Sequence, residues 1–151
     1  MMNRRTAIKA IATGGALIGV SVLMPRLAMA AWNKDAFGAD NQGGAMKALL
    51  GGEPTASADV NLKAPSIAEN GAVVPVTVKT TAANVESISI FVEGNPTPLV
   101  AEFSIPAGTK AEVSTRIRMG KTSNITAVVK ADGKLMSASQ ETKVTIGGCG
   151  G

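Results

Sequence analysis

From Asp59 onward, apolar and polar residues alternate. "VVPVTV" sets Val74, Val76 and Val78 on one side of the chain, and "SISIFV" does the same with Ile88, Ile90 and Val92. "LVAEFSI" aligns Leu99, Ala101, Phe103 and Ile105. "AEVSTRIRM" is the cleanest run. Ala111, Val113, Thr115, Ile117 and Met119 face one way, and Glu112, Ser114, Arg116 and Arg118 face the other. "ITAVV", "KLMSAS" and "TKVTI" follow. A period of two over such lengths predicts strands with one face in a core and one in water. The joints carry turn chemistry, and Asn70-Gly71 and Asp132-Gly133 are two-residue hairpin signals. Pro75 inside a strand run marks an edge or a bulge. Seven or so short strands at this spacing predict an all-β, immunoglobulin-like antiparallel β-sandwich. The cysteine pair and strand tryptophan of antibody domains are missing, so only the architecture follows.

Before Asp59 the pattern changes. Residues 31–52 lack alternation and group Trp32, Ala36 and Phe37 on one helical face, and Ala45, Met46, Leu49 and Leu50 on another. Asp40 and Asn41 suit a helix start and Gly51-Gly52 an end, which predicts one or two short helices interrupted at Gly43-Gly44. "EPTASAD" reads as a polar link.

The first thirty residues have the three-part anatomy of an export signal. Arg4, Arg5 and Lys9 form a basic start, Ala10 to Pro25 carry no charge, and "AMA" places small residues at Ala28 and Ala30. The paired Arg4 and Arg5 resemble the twin-arginine pattern, although Asn3 and Ala7 depart from it. The uncharged stretch is short and glycine-rich for a membrane span. The expected organisation is a signal at 1–30, a helical segment and linker at 31–58, a sandwich at 59–146 and an arm at 147–151.

Setting the signal aside changes the charge. The precursor's net charge of +4 resides in Arg4, Arg5, Lys9 and Arg26. The remainder is balanced, with 11 acidic residues matched by as many basic ones. The sequence pI of about 9.5 therefore gives no support to nucleic-acid binding.

Chemistry is scarce. Histidine and tyrosine are absent, which removes Ser-His-Asp and Cys-His nucleophiles and every imidazole metal site. Glu86, Glu93, Glu102, Glu112 and Glu141 fall one per strand or loop and read as solvated charges. Arg116 and Arg118 project from one face, as a polar sheet surface or as an anion site. One cysteine remains, Cys149, in the ending "KVTIGGCGG". An exported protein with a single thiol forms no internal disulfide, so that thiol pairs between molecules or reacts. Its neighbours are glycines, which supply neither the positive charge nor the base that an active thiolate needs. Gly147, Gly148, Gly150 and Gly151 make the tail thin and free to bend. These are properties of an arm that offers its thiol to other proteins. A structural sandwich that uses Cys149 for an intermolecular disulfide is the other reading.

The ending "GGCGG" after "VTI" resembles the SoxY family, the sulfur-carrier subunits of the periplasmic thiosulfate-oxidising system. The likeness continues through "APSIAENGAVVPVTV", "FVEGNPTPLVAEF", "TRIRM" and "TAVVKADGKL". It implies a non-enzymatic carrier with no intrinsic cofactor and no metal. S-thiosulfonate and persulfide adducts would form on Cys149, and the flanking glycines Gly147, Gly148, Gly150 and Gly151 would serve as hinge and slim tip. The implied partners are a second sandwich subunit, SoxZ, in a heterodimer; a c-type haem enzyme that loads thiosulfate; a dinuclear manganese hydrolase that releases sulfate; and, where present, a molybdenum sulfane dehydrogenase. Nucleic acid and membrane are not among them. Arg4 and Arg5 would direct export to the periplasm.

Overall fold

The computed structural model describes residues 32–145. Arg4, Arg5 and the rest of the signal lie outside the described residues, as do Gly147, Gly148, Cys149, Gly150 and Gly151.

Among the described residues two helices come first, α1 (Lys34–Gly38) and α2 (Gln42–Leu50). Each is capped by an asparagine. Asn33 Oδ1 accepts from Ala36 N at 3.0 Å, and Asn41 Oδ1 accepts from Gly44 N at 2.7 Å. Gly51 ends α2 in the left-handed region at φ 75°. The break falls at 39–41 rather than at Gly43-Gly44, which lie in the first turn of α2. The cap explains this. A Cβ on Gly44 would sit 3.1 Å from Asn41 Oδ1, so the small residue lets the cap close.

Nine strands follow: β1 (Thr55–Ala56), β2 (Val60–Lys63), β3 (Ile67–Ala68), β4 (Val74–Thr80), β5 (Val85–Val92), β6 (Leu99–Ser104), β7 (Glu112–Ile117), β8 (Ser123–Ala131) and β9 (Lys134–Val144). One sheet runs β1-β9-β8-β5-β6, with β3 also on β9, and the other runs β2-β4-β7. The expected link "EPTASAD" holds β1, and "KLMSAS" and "TKVTI" join into the single strand β9. β1 and β3 run parallel to β9, and the other pairings are antiparallel.

The two Gly-containing turns behave differently. Asp132 and Gly133 both have positive φ, 48° and 71°, and join Ala131 to its partner Lys134 in a tight hairpin. Asn70-Gly71 is not a hairpin. It carries the chain from β3 in one sheet to β4 in the other, and Gly71 O accepts from Met119 N at 2.7 Å. Pro75 keeps its expected edge character by a local route. β2 pairs only with Thr77–Thr80, so at Pro75 β4 has β7 alone beside it.

The main core lies between the sheets, with Val74, Val76 and Val78 against Ile88, Ile90, Val92, Ile125, Ala127 and Val129. A second core lies on the other face of the larger sheet, where Ala36, Ala45 and Met46 of the helices cover Phe91, Leu99 and Val128. The middle of β5, Ile88–Val92, is therefore buried on both faces, as is Ile125–Val129 of β8. The expected wet face is absent there because the helices occupy it. Leu99 also departs from expectation. A register shift between Ile90 and Phe91 turns it to the helix side, while Ala101 and Phe103 stay with the main core.

The two sides of the sandwich differ. On one, β1, β3 and the chain between them wrap β9, and β2 contacts both β8 and β9. On the other, β6 and β7 are the unpaired end strands of their sheets.

Candidate functional site

Cys149 is four residues beyond Thr145, the last described residue, so the structure defines the root from which its segment departs. That root is held on both sides. Lys143 N donates to Ser66 O at 2.9 Å and Thr145 N to Ala68 O at 3.1 Å, which ties the end of β9 to β3. Opposite, Val144 N donates to Thr122 Oγ1 at 2.9 Å. Just before these residues, Thr142 is fully buried and its hydroxyl donates to Pro65 O at 2.8 Å. Gln140 Nε2 donates to Ala64 O at 2.8 Å. Alternation puts Gln140 and Thr142 on the core side of β9, and each uses its polar group to hold the strip of chain that crosses between the sheets.

The same end of the sandwich carries the β5–β6 and β7–β8 loops. Asn95 Nδ2 donates to Arg118 O at 2.7 Å, and Gly120 N donates to Asn95 Oδ1 at 2.9 Å. One side chain thereby closes the β5–β6 loop onto the β7–β8 loop. Gly94 makes this possible. A Cβ there would meet Ser123 Cβ and Oγ at 2.8 Å, so any larger residue would push the loops apart. This latch was not legible beforehand, because Asn95 reads as an ordinary turn residue in "EGNPTP".

The groups that could activate a thiol or bind a metal are sparse. Among the described residues no group of three or more Cys, His, Asp or Glu side chains comes together. Glu86, Glu93, Glu102 and Glu141 are exposed. Glu86 pairs with Lys130 Nζ at 3.1 Å and Glu93 accepts from Asn124 Nδ2 at 3.2 Å, while Glu112 holds two lysines. It bridges Lys110 Nζ at 2.7 Å and Lys79 Nζ at 2.9 Å, at the end of β7 away from Thr145. Hydrogen bonds from Lys110 and then Lys79 hold its carboxyl down to about 2. Because the folded value lies below the ordinary 4.5, this bridge stabilises the fold above that pH and is lost as pH falls toward 2. Glu112→Gln is therefore expected to melt below the wild type at neutral pH, with the gap closing between pH 4.5 and 2. A gap that persisted at the acid end would show that the two lysines are not what Glu112 contributes.

Arg116 and Arg118 both border a groove of about 590 Å³ on the open side of the sandwich, with Val100, Ala101, Thr115 and Ile117 as its walls. Neither arginine forms an ion pair among the described residues. No helix among the described residues is long and apolar enough to cross a membrane.

Comparison with known proteins places this architecture. The profile of the family described as "Sulfur oxidation protein SoxY" matches residues 46–149, a span that ends on Cys149. The solved structure of the sulfur carrier protein SoxY from Chlorobium limicola f thiosulfatophilum is 50% identical, covers 68% of this chain and 94% of its own, and superposes with a TM-score of 0.61. A superoxide reductase (neelaredoxin) from Ignicoccus hospitalis, at 16% identity, covers 57% of this chain and 79% of its own with a TM-score of 0.51, and shares the fold alone. No curated protein matches. The sandwich with its helical cover, the half-identical carrier structure and the family match over most of the chain lead to one assignment: this chain belongs to the SoxY family of sulfur carrier proteins.

Proposed function

We propose that the protein carries the intermediates of periplasmic thiosulfate oxidation covalently on Cys149 and presents them in turn to separate enzymes. The observation that carries this reading is the root itself. A strand pinned on both sides through Thr145 gives way to Gly147-Gly148-Cys149-Gly150-Gly151. A fixed base and a glycine-flanked thiol suit a group that must enter other proteins' active sites.

The Cys149 thiolate and the outer sulfur of thiosulfate form an S–S bond, giving Cys–S–S–SO₃⁻, and two electrons leave to the haem of a c-type partner. Water then cleaves the bond to the sulfonate sulfur at a dinuclear manganese hydrolase. That step releases sulfate and two protons and leaves Cys–S–S⁻. A molybdenum dehydrogenase, where present, oxidises the remaining sulfane sulfur with oxygen from water. The carrier supplies no acid, base or metal to these steps; activation comes from each partner. A SoxZ-type sandwich completes the heterodimer, and Arg4 and Arg5 fit export by the twin-arginine route.

Intact-mass spectrometry tests this. Incubation with thiosulfate and the loading enzyme is expected to add one thiosulfonate per chain, and the hydrolase to reduce it to a persulfide. A chain that stays unmodified, or goes only to a disulfide-linked dimer, rejects the carrier role. The glycines give a second test. Gly148→Val with Gly150→Val is expected to keep the fold and slow loading about tenfold or more, because branched side chains stiffen and widen the tip. An unchanged loading rate means that the arm does not thread a narrow site.

A further inference from the structure

Helices cover the larger sheet, but the outer face of the smaller one, β2-β4-β7, is open. Asn61, Lys63, Pro75, Lys79, Ser114 and Arg116 are all exposed there. Register fixes which of them are neighbours. With Leu62, Val74, Val76 and Val78 turned into the core, Lys63, Thr77 and Ser114 form one row across the outer face, and Pro75 and Arg116 form the next. Thr77 Oγ1 and Ser114 Oγ lie 2.8 Å apart, as that arrangement requires. Arg118 follows one step further, beyond the buried Ile117.

Charge is uneven over this face. Glu112 is the one carboxylate within the three strands. It sits at one end, bridged to Lys79 and Lys110 with Asp59 beside them, so that end is balanced. The other half carries Lys63, Arg116 and Arg118. None of the three forms an ion pair among the described residues, and Glu69, in the chain that leads to β4, pairs with none of them. Residues 31–151 as a whole carry no net charge, so the excess of cations is local. Val73 adds an independent feature. It is 50% exposed, a rare state for a large apolar side chain among the described residues, and alternation sets it beyond Pro75 on the same face. Apolar groups ringed by charge are the anatomy of a protein interface.

Spacing points the same way. Alternate residues of a strand are about 6.7 Å apart and neighbouring strands about 4.8 Å. Arg116 and Arg118 are therefore rooted about 7 Å apart, and Lys63 about 12 Å from Arg116. A single small anion meets all three only if the side chains crowd together against their repulsion. Separate carboxylates on a rigid surface meet them where they stand.

We propose that this face docks an acidic surface of the enzyme that loads Cys149. The proposal rests on the covalent-carrier reading. Loading is the step at which the carrier's body must supply the attraction. The free thiol is mostly uncharged at neutral pH, whereas the later adducts are anions that a cationic site can draw in. Complementary charge raises the association rate and sets orientation, and salt weakens it. Val73 and Pro75 add contact that salt does not weaken.

The test titrates the full mature chain, residues 31–151 with Cys149→Ser so that no chemistry occurs, with the loading enzyme and follows backbone signals by NMR. Signals of Lys63, Thr77, Ser114 and Arg116 are expected to shift or broaden at low salt and to recover at high salt. Lys63→Glu with Arg116→Glu and Arg118→Glu is expected to weaken binding about tenfold or more and to flatten its salt dependence. Lys34→Glu with Lys47→Glu and Lys134→Glu makes the same change in charge away from the face, and should bind within about twofold of the parent chain. A thermal melt checks that each variant folds. Lys63→Gln with Arg116→Gln and Arg118→Gln, which adds no repulsion, should fall between the parent chain and the reversal. No shift, shifts elsewhere on the chain, or equal weakening by both reversals overturns the proposal. The same shifts on adding the second sandwich subunit, or vesicles of phosphatidylglycerol, overturn it too, since that occupant would then own the face. An enzyme that docks here yet leaves wild-type Cys149 unloaded removes the carrier reading and leaves the docking surface standing.

Discussion

A Cys149→Ser chain is expected to fold as the wild type does and to accept no sulfur at all. The fold should be indifferent because the strand before the arm is held by groups that end at Thr145: the carbonyls of Pro65, Ser66 and Ala68, and the hydroxyl of Thr122. Loading should be abolished rather than reduced because there is no substitute. The chain has one cysteine and no histidine, and a serine hydroxyl does not form a stable bond to sulfane sulfur. Intact mass after incubation with thiosulfate and the loading enzyme checks both halves, alongside a thermal melt. Any adduct that survives the substitution places the carrier chemistry elsewhere.

The second large effect is on stability. Phe91→Ala is expected to cost about 3–5 kcal/mol in urea unfolding. Phe91 is fully buried where α1 and α2 meet the larger sheet, against Ala36, Ala45, Met46, Leu99 and Val128. Burying such a ring contributes roughly 1.5–3 kcal/mol, and the cavity left behind adds to the loss. Ala36 and Ala45 are too small to refill it. Helices of this length are marginal alone and depend on that contact, so the cover should loosen with the core. The loss is a large fraction of the roughly 5–15 kcal/mol that holds a domain together. A cost below about 1 kcal/mol would mean that the helices do not seal this face. Sulfur loading of the folded fraction should be unchanged, because the arm root draws nothing from the helices.

Much of this was legible in the chain. Val74, Val76 and Val78, and Ile88, Ile90 and Val92, point where alternation puts them, because side-chain period is a local property of an extended backbone. Asp132-Gly133 made its hairpin for the same reason. What failed was non-local. Asn70-Gly71 has hairpin chemistry, yet the strands it joins belong to different sheets, and nothing in its own residues says so. Leu99 turned outward because of a register shift set by pairing with β5. β1 and β3 are two residues each, too short to show a period, and exist because β9 offers them an edge. The family match extends through Cys149, which composition had already singled out as the one reactive group. Its clamp was not visible in advance. Thr142 and Gln140 are ordinary polar residues until the fold brings them to the chain that crosses between the sheets, and Thr122 until it meets Val144 at the end of β9.

The role of Cys149 is tested most directly on protein taken from its native host during growth on thiosulfate. Trypsin cuts after Lys143, so the mass of the peptide that begins at Val144 reports the state of Cys149. Thiosulfonate or persulfide mass on that peptide, removed by reductant, is the expected result. A peptide that is always unmodified, or always linked to a second copy of itself, would contradict the carrier function.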